Sequence, residues 1–189
     1  MAQAKTLSEK ELKIVLAVAA QGRYAARDRA MLLMTFWAGM RVGEIAALRI
    51  GDVVGTDGLI KDEIRLAADQ TKGDKGRIVM LGDKLRRELA VYVDSLKPRD
   101  PERPFFFSQR QRLGFNANTL CQHFGILYRR AGLNGASSHS GRRTFITSLA
   151  NKGVGVRVLM ALAGHRNMST TQRYIDLNDR MVRDAVNII

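Results

Sequence analysis

Apolar residues recur at helical spacing along most of this chain and give way to short alternating runs near its middle. Leu12, Val15, Leu16 and Ala19 share one helix face ahead of Gly22, and the lead Thr6-Leu7-Ser8-Glu9-Lys10-Glu11 offers two overlapping capping boxes, Thr6 with Glu9 and Ser8 with Glu11. A second helix is predicted from about Tyr24 through Trp37, stopping at Gly39. A third begins near Arg41 and places Arg41, Glu44 and Leu48 on one face. From Gly51 to Gly82 glycine and aspartate punctuate the chain, and Glu63-Ile64-Arg65-Leu66 and Arg77-Ile78-Val79-Met80-Leu81 read as strands. The turn-rich loop from Gln70 to Gly76 between them puts Lys72 and Lys75 at or near a hairpin tip. Asp83 is predicted to cap a helix to about Leu96; Pro98, Pro101 and Pro104 then break the pattern, and Phe105-Phe106-Phe107 forms a short buried run. Helices follow at about 117–131, 140–152, 156–163 and 169–175, with a last amphipathic piece at 178–188. The predicted class is mainly α with a small antiparallel β-sheet (α+β), without internal repeats or low-complexity tracts.

Composition bounds this picture. At 189 residues, 46% hydrophobic and 26% charged, the chain is expected to form one domain, 1–189, with a sizeable core. Its formal net charge of +13 is costly on a compact protein unless a polyanion neutralises it, so nucleic acid is the default partner. A generic basic surface or an RNA-binding role stays open on charge alone. Lys and Arg are spread along the chain, which describes a folded basic face rather than a tail. Cys121 is the only cysteine, which excludes an internal disulfide and a cysteine metal cluster. The run Ile14 to Ala20 is too short to span a bilayer, and the polar start has no hydrophobic secretion region, so a cytoplasmic, membrane-free protein is expected.

The last quarter of the chain carries candidate chemistry. His139-Ser140-Gly141-Arg142, then Leu162-Ala163-Gly164-His165, then Tyr174 follow in order, with steps of 3, 23 and 9 positions between His139, Arg142, His165 and Tyr174. Two of the three histidines in the chain fall inside this set. Upstream, Gly39-Met40-Arg41-Val42-Gly43-Glu44-Ile45 adds a second arginine, and Thr71-Lys72-Gly73-Asp74-Lys75-Gly76-Arg77 adds a lysine. There is no carboxylate pair or His/Cys cluster with ligand spacing, and no glycine-rich nucleotide loop, so neither a metal nor another cofactor is expected.

Together these motifs resemble the catalytic set of the tyrosine recombinase (phage integrase) family, over about Thr6 to Ile175. The resemblance implies the catalytic-domain fold of that family and a site-specific DNA recombinase that cleaves and rejoins double-stranded DNA through a covalent 3′-phosphotyrosine. It implies Tyr174 as nucleophile, Arg41 and Arg142 as the cradle for the phosphate, His139 and His165 as hydrogen-bond donors or proton shuttles, and Lys72 as the acid for the leaving 5′ oxygen. Lys75 is the alternative acid, since charge alone does not decide. Chemically, a phenol keeps the phosphate as an ester that a DNA hydroxyl can reclaim, and two always-charged planar forks match the oxygens of a pentacoordinate phosphorus. Lys75, Arg77 and Arg143 are further candidates for DNA contact. Where the family pattern His-x-x-Arg often has Leu before the arginine and His after it, this chain has Gly141 and Arg143, and Thr71 replaces the first glycine of the family's lysine motif. Glu44 is expected to orient Arg41 or cap the fold, and His123 to pack within its helix near Phe124.

The family usually carries an N-terminal DNA-clamping domain ahead of the first catalytic arginine, and forty residues precede Arg41 here. The expectation is a chain that lacks this domain, either naturally minimal, as in the fimbrial phase-variation inversion recombinases, or a catalytic fragment. Tetramers are expected on paired DNA sites, and a monomer or weak oligomer without DNA. Two other readings stay open at this stage: a non-catalytic DNA-binding accessory protein on the same fold, and a relaxing enzyme resembling type IB topoisomerases.

Overall fold

The computed structural model describes residues 4–71, 75–96, 100–108 and 113–175, together with 183, 186 and 187. Helix α2 (Ala25–Trp37) is the axis of the domain. Met31, Leu32, Leu33 and Met34 are four consecutive residues with no solvent exposure, which a helix achieves only when neighbours cover it on all sides. Those neighbours include α1 (Glu9–Ala20), α5 (Asp83–Asp94) and α7 (Ser140–Asn151). Between α2 and α5 lie two short helices, α3 (Val42–Ala46) and α4 (Ile50–Val53), and the hairpin of β1 (Glu63–Leu66) and β2 (Arg77–Met80). Helices α6 (Ala117–Arg130), α8 (Val156–Ala163) and α9 (Met168–Gln172), with a single 3-10 turn at Ala68–Gln70 between the strands, complete the described elements.

The local chemistry accounts for most boundaries. Of the two capping boxes at the start, the Ser8–Glu11 box forms: the Ser8 hydroxyl accepts the Glu11 N–H at 3.2 Å, and the Glu11 carboxylate accepts the Ser8 N–H at 2.9 Å. Asn116 caps α6 in the same manner through the Thr119 N–H at 2.8 Å. Asp83 is not the cap of α5. Gly82 holds that position and Asp83 sits in the first turn, where its charge suits the positive end of the helix. The strands pair antiparallel with Ile64 opposite Val79 and Leu66 opposite Arg77, so Ile64, Leu66 and Val79 face the core. Phe105 and Phe106 are buried against Tyr92, at ring-centroid distances of 5.3 and 5.1 Å, and the Tyr92 hydroxyl donates to the Phe105 carbonyl at 2.7 Å. His123, expected to pack near Phe124, lies beside Phe115, with its Nε2 3.0 Å from the buried Asp28 carboxylate that also holds Arg27.

Two close approaches fix where α7 sits. At Gly141 a Cβ would lie 1.9 Å from the Thr35 hydroxyl oxygen on α2, so the helices meet where neither tolerates a larger residue. At Gly39 the backbone adopts a φ of 61°, and a Cβ there would strike the Phe145 ring at 2.5 Å. The glycine that replaces the family's leucine before Arg142 is therefore a packing residue. Helix α9 ends at Gln172, earlier than the periodicity predicts, and Tyr174 lies in the turn beyond it, its N–H bonded to the Thr171 carbonyl at 2.9 Å. Most of the amphipathic piece expected at 178–188, and Lys72 at the hairpin tip, lie outside the described residues.

Candidate active site

The site is organised by the end of one helix. Helix α8 stops at Gly164, which takes the left-handed conformation (φ 59°) and leaves the last carbonyls of the helix without intrahelical partners. Three successive carbonyls each receive one guanidinium. Arg77 Nη1 donates to Leu162 at 3.0 Å, Arg142 Nη2 to Ala163, and Arg41 Nη2 to Gly164 at 3.2 Å. The negative end of the helix dipole attracts cations for the same reason that the orphan carbonyls need donors. Only glycine fits at 164: besides its φ, a Cβ would come within 2.6 Å of Arg77 Cδ.

Three guanidiniums in one place require a counter-charge, and Glu44 supplies it. Its side chain is 1% exposed. One carboxylate oxygen accepts from Arg77 Nε at 2.9 Å and from Arg41 Nη1 at 2.8 Å; the other accepts from Arg77 Nη2 and from the Arg41 backbone N–H, both at 2.7 Å. Burial by itself drives the Glu44 carboxyl upward, yet the bonds and charges of Arg77 and Arg41 win and hold it below its ordinary value. Glu44 thus orients Arg41, as its place three residues along α3 implies. Arg77, expected to contact DNA, is bound into the protein itself. Its side chain is 10% exposed, with donors committed to Glu44 and Leu162, so it is a buried part of the scaffold.

Arg142 projects from the first turn of α7 and is also buried, with a second bond to the Gly39 carbonyl. Burial first, then Arg41 and Arg77, pulls its pKa down to about 9, which leaves it charged at neutral pH. His165, the residue after Gly164, places Nδ1 2.9 Å from the Thr171 hydroxyl and stacks on the Tyr174 ring at 5.7 Å with 24° between planes. Burial and the charges of Arg142, Arg41 and Arg77 lower its pKa to about 4. The expected proton shuttling near neutral pH therefore does not suit His165 in the free protein, where the ring is neutral and serves as a hydrogen-bonding group.

Tyr174 also receives Arg143, whose guanidinium carbon lies 5.4 Å from the ring centroid. His139, exposed at the N-terminal end of α7, joins Arg142, Arg143, Arg173 and Tyr174 around an open cleft of about 480 Å³. A second depression of about 380 Å³ is lined by Arg41, Lys75, Arg77 and His165. The two adjoin through the stack of His165 on Tyr174 and through the row of carbonyls that Arg41 and Arg142 share. Five of the six expected catalytic residues (Arg41, His139, Arg142, His165 and Tyr174) are thus gathered around two neighbouring concavities, and Lys75 is exposed at the rim of one of them. Among the described residues no group of three or more His, Cys, Asp or Glu is arranged to hold a metal ion, and no helix is long and apolar enough to cross a membrane. Sequence reasoning missed Arg77 as scaffold and passed over Thr171. A polar residue three positions before a candidate nucleophile gives no sign that it will be fully buried.

Known proteins share this chain's sequence pattern and fold. Residues 5–181 match the model of the phage integrase family, and the chain belongs to that family. It is 30% identical over 185 residues to the tyrosine recombinase XerA of Pyrococcus horikoshii, an alignment covering 96% of this chain and 60% of the relative. The crystal structure of XerA recombinase superposes with a TM-score of 0.76 at 29% identity, covering 99% of this chain and 65% of that one. XerH site-specific recombinase, in its post-cleavage complex with palindromic difH substrate, has the same fold (TM-score 0.71, 23% identity, 97% of this chain and 52% of that one). The chain spans about 60% of the length of the XerA relative.

Proposed function

We propose that this chain cleaves and rejoins double-stranded DNA as the catalytic part of a site-specific recombinase, with Tyr174 as nucleophile. The observation that carries the reading is the stack of His165 on Tyr174 beside buried, charged Arg142. A phenol, a neutral hydrogen-bonding ring and fixed positive charge are what phosphoryl transfer to a protein hydroxyl needs. The Tyr174 oxygen attacks phosphorus as its phenolic proton passes to solvent water; the bond to the 5′ oxygen breaks and that oxygen takes up a proton, leaving a 3′-phosphotyrosine and a free 5′ hydroxyl. The two non-bridging oxygens gain charge in the transition state, and guanidiniums pinned in advance stabilise that charge without reorganising. Glu44 and the α8 carbonyls are what pin them.

The 5′ oxygen needs a proton as it leaves. We assign that to Lys72, with Lys75 the alternative, since Lys75 is exposed beside Arg41 and His165. Arg143 and Lys75, each lining one of the two concavities, would meet flanking phosphates. Residues His139 and His165 donate to the phosphate oxygens. The net charge of +13 and the substrate-bound complex of XerH, which shares this fold, support double-stranded DNA as the partner. Tetramers on paired sites belong to the same reading. The test is capture from a randomised pool of nicked duplexes, whose nick lets the cleaved 5′ end diffuse away and strands the enzyme on its substrate. A denaturation-resistant adduct enriched for a common sequence is expected; relaxation of any supercoiled plasmid without sequence enrichment would favour the topoisomerase-like reading instead.

A further inference from the structure

Thr171 has the position of a residue that serves two others at once. It is fully buried on α9; its hydroxyl oxygen lies 2.9 Å from His165 Nδ1, and its carbonyl accepts the Tyr174 N–H at 2.9 Å. The histidine and the tyrosine whose rings stack are therefore held by the two polar ends of one side chain and its own peptide. A hydroxyl can donate to or accept from an imidazole nitrogen, and the direction decides which nitrogen carries the ring proton. A buried hydroxyl proton without an acceptor is costly, and among the described residues the partner this hydroxyl meets is the His165 ring. The proton of Thr171 accordingly goes to Nδ1, and the single proton of the neutral ring stays on Nε2, the nitrogen directed away from Thr171.

We propose that Thr171 is a positioning residue that locks His165 as a neutral Nε2–H donor, with its ring held against Tyr174, so that the histidine hydrogen-bonds a bound phosphate without adding or losing a proton. The proposal rests on the reading of this site as a strand-cleaving one. The depressed basicity of His165 fits it, because a ring ringed by Arg41, Arg77 and Arg142 resists protonation and can offer only one N–H.

The test has two arms. In the first, the DNA-free protein with ¹⁵N-labelled histidine is observed by NMR at neutral pH, His165→Gln identifying the resonance pair. Wild type is expected to show a protonated Nε2 and an unprotonated Nδ1 displaced by hydrogen bonding. Thr171→Val should move Nδ1 to the position of an unbonded nitrogen, and Thr171→Ser should return it. In the second arm, Thr171→Val should lower adduct formation on suicide duplexes about tenfold, the scale of one lost hydrogen bond in the transition state, with DNA affinity unchanged. Thr171→Ser should cleave within about threefold of wild type. A protonated Nδ1 in wild type overturns the proposal even if the valine variant fails to fold. So does a folded Thr171→Val that cleaves like wild type. If the ring nitrogens behave as stated but wild type forms no adduct with any duplex, the functional reading fails while the Thr171–His165 bond stands.

Discussion

Glu44 and Arg77, 33 positions apart in the chain, form a two-pronged ion pair in which the carboxylate is 1% and the guanidinium 10% exposed. The pair ties the β-hairpin to α3, and through Arg41 and the Leu162 carbonyl it ties both to the end of α8. Removing one partner would strand the other, so Glu44→Ala or Arg77→Met is expected to cost about 3–5 kcal/mol of stability, far above a surface ion pair. Chemical denaturation of the two variants checks this. Because the Glu44 carboxyl is held below its ordinary value in the folded protein, its contribution is present above the unfolded carboxyl pKa of 4.5 and is lost as pH falls through the folded value. Glu44→Gln should therefore flatten the acid limb of stability against pH below about 4.5. An acid limb unchanged from wild type would contradict the pairing.

Gly141 should be intolerant of even one methyl group. Gly141→Ala is expected to lose about 1–3 kcal/mol through overpacking, because the Thr35 hydroxyl occupies the space. Thr35→Ala removes the hydroxyl but keeps a Cβ that would sit 2.7 Å from the new methyl, so the double variant should recover part of the loss. Additive losses in the double-mutant cycle would show that the clash is not the cause.

His165 should titrate well below an exposed histidine. With a folded pKa of about 4 against an ordinary 6.5, the folded state prefers the neutral ring, and this preference is present above 6.5 and is lost as pH falls from there toward 4. An NMR titration should place the His165 midpoint near 4, and His165→Gln should remove its share of the destabilisation between those two values. A midpoint near 6.5 would mean that burial and the arginines do not act on this ring as the structure requires.

Arg41→Lys and Arg142→Lys should each lower cleavage on the order of a hundredfold or more while leaving most DNA affinity, since lysine keeps the charge and loses the fork. Affinity should fall steeply with salt in wild type and variants alike, the phosphate contacts being spread over many cations. Cleavage measured with EDTA present is expected to match cleavage without it, the guanidiniums supplying the charge that a metal would otherwise bring. Cleavage within about threefold of wild type in both lysine variants would remove the two-arginine cradle.

How much of this could be read from the chain depends on where each interaction is encoded. That Arg41, His139, Arg142, His165 and Tyr174 would come together was legible in the order and spacing of their motifs, and α8 was legible to its last residue because Gly164 is both a helix stop and part of a motif. Glu44 was half-legible: a carboxylate three residues after Arg41 on a helix reaches back to it by geometry alone. The role of Arg77 was not, because its partners lie 33 and 85 positions away and a basic residue on a strand looks the same whether it meets solvent or a buried carboxylate. The row of carbonyls that gathers three arginines exists only after α3, β2, α7 and α8 have packed. Gly141 was read as a departure from the family's pattern, and its reason, the Thr35 side chain, belongs to another helix.

Covalent capture through Tyr174 tests the central claim most directly. Duplexes selected by the wild-type protein from the randomised pool would be incubated with wild type and with Tyr174→Phe, and the products separated under denaturing conditions. The phenylalanine variant keeps the ring that stacks on His165 and loses only the hydroxyl, so folding and DNA affinity should be unchanged. Wild type is expected to form a phosphotyrosine adduct whose cross-linked peptide contains Tyr174, and Tyr174→Phe none. An adduct that persists in Tyr174→Phe, or maps to another residue, would contradict the account.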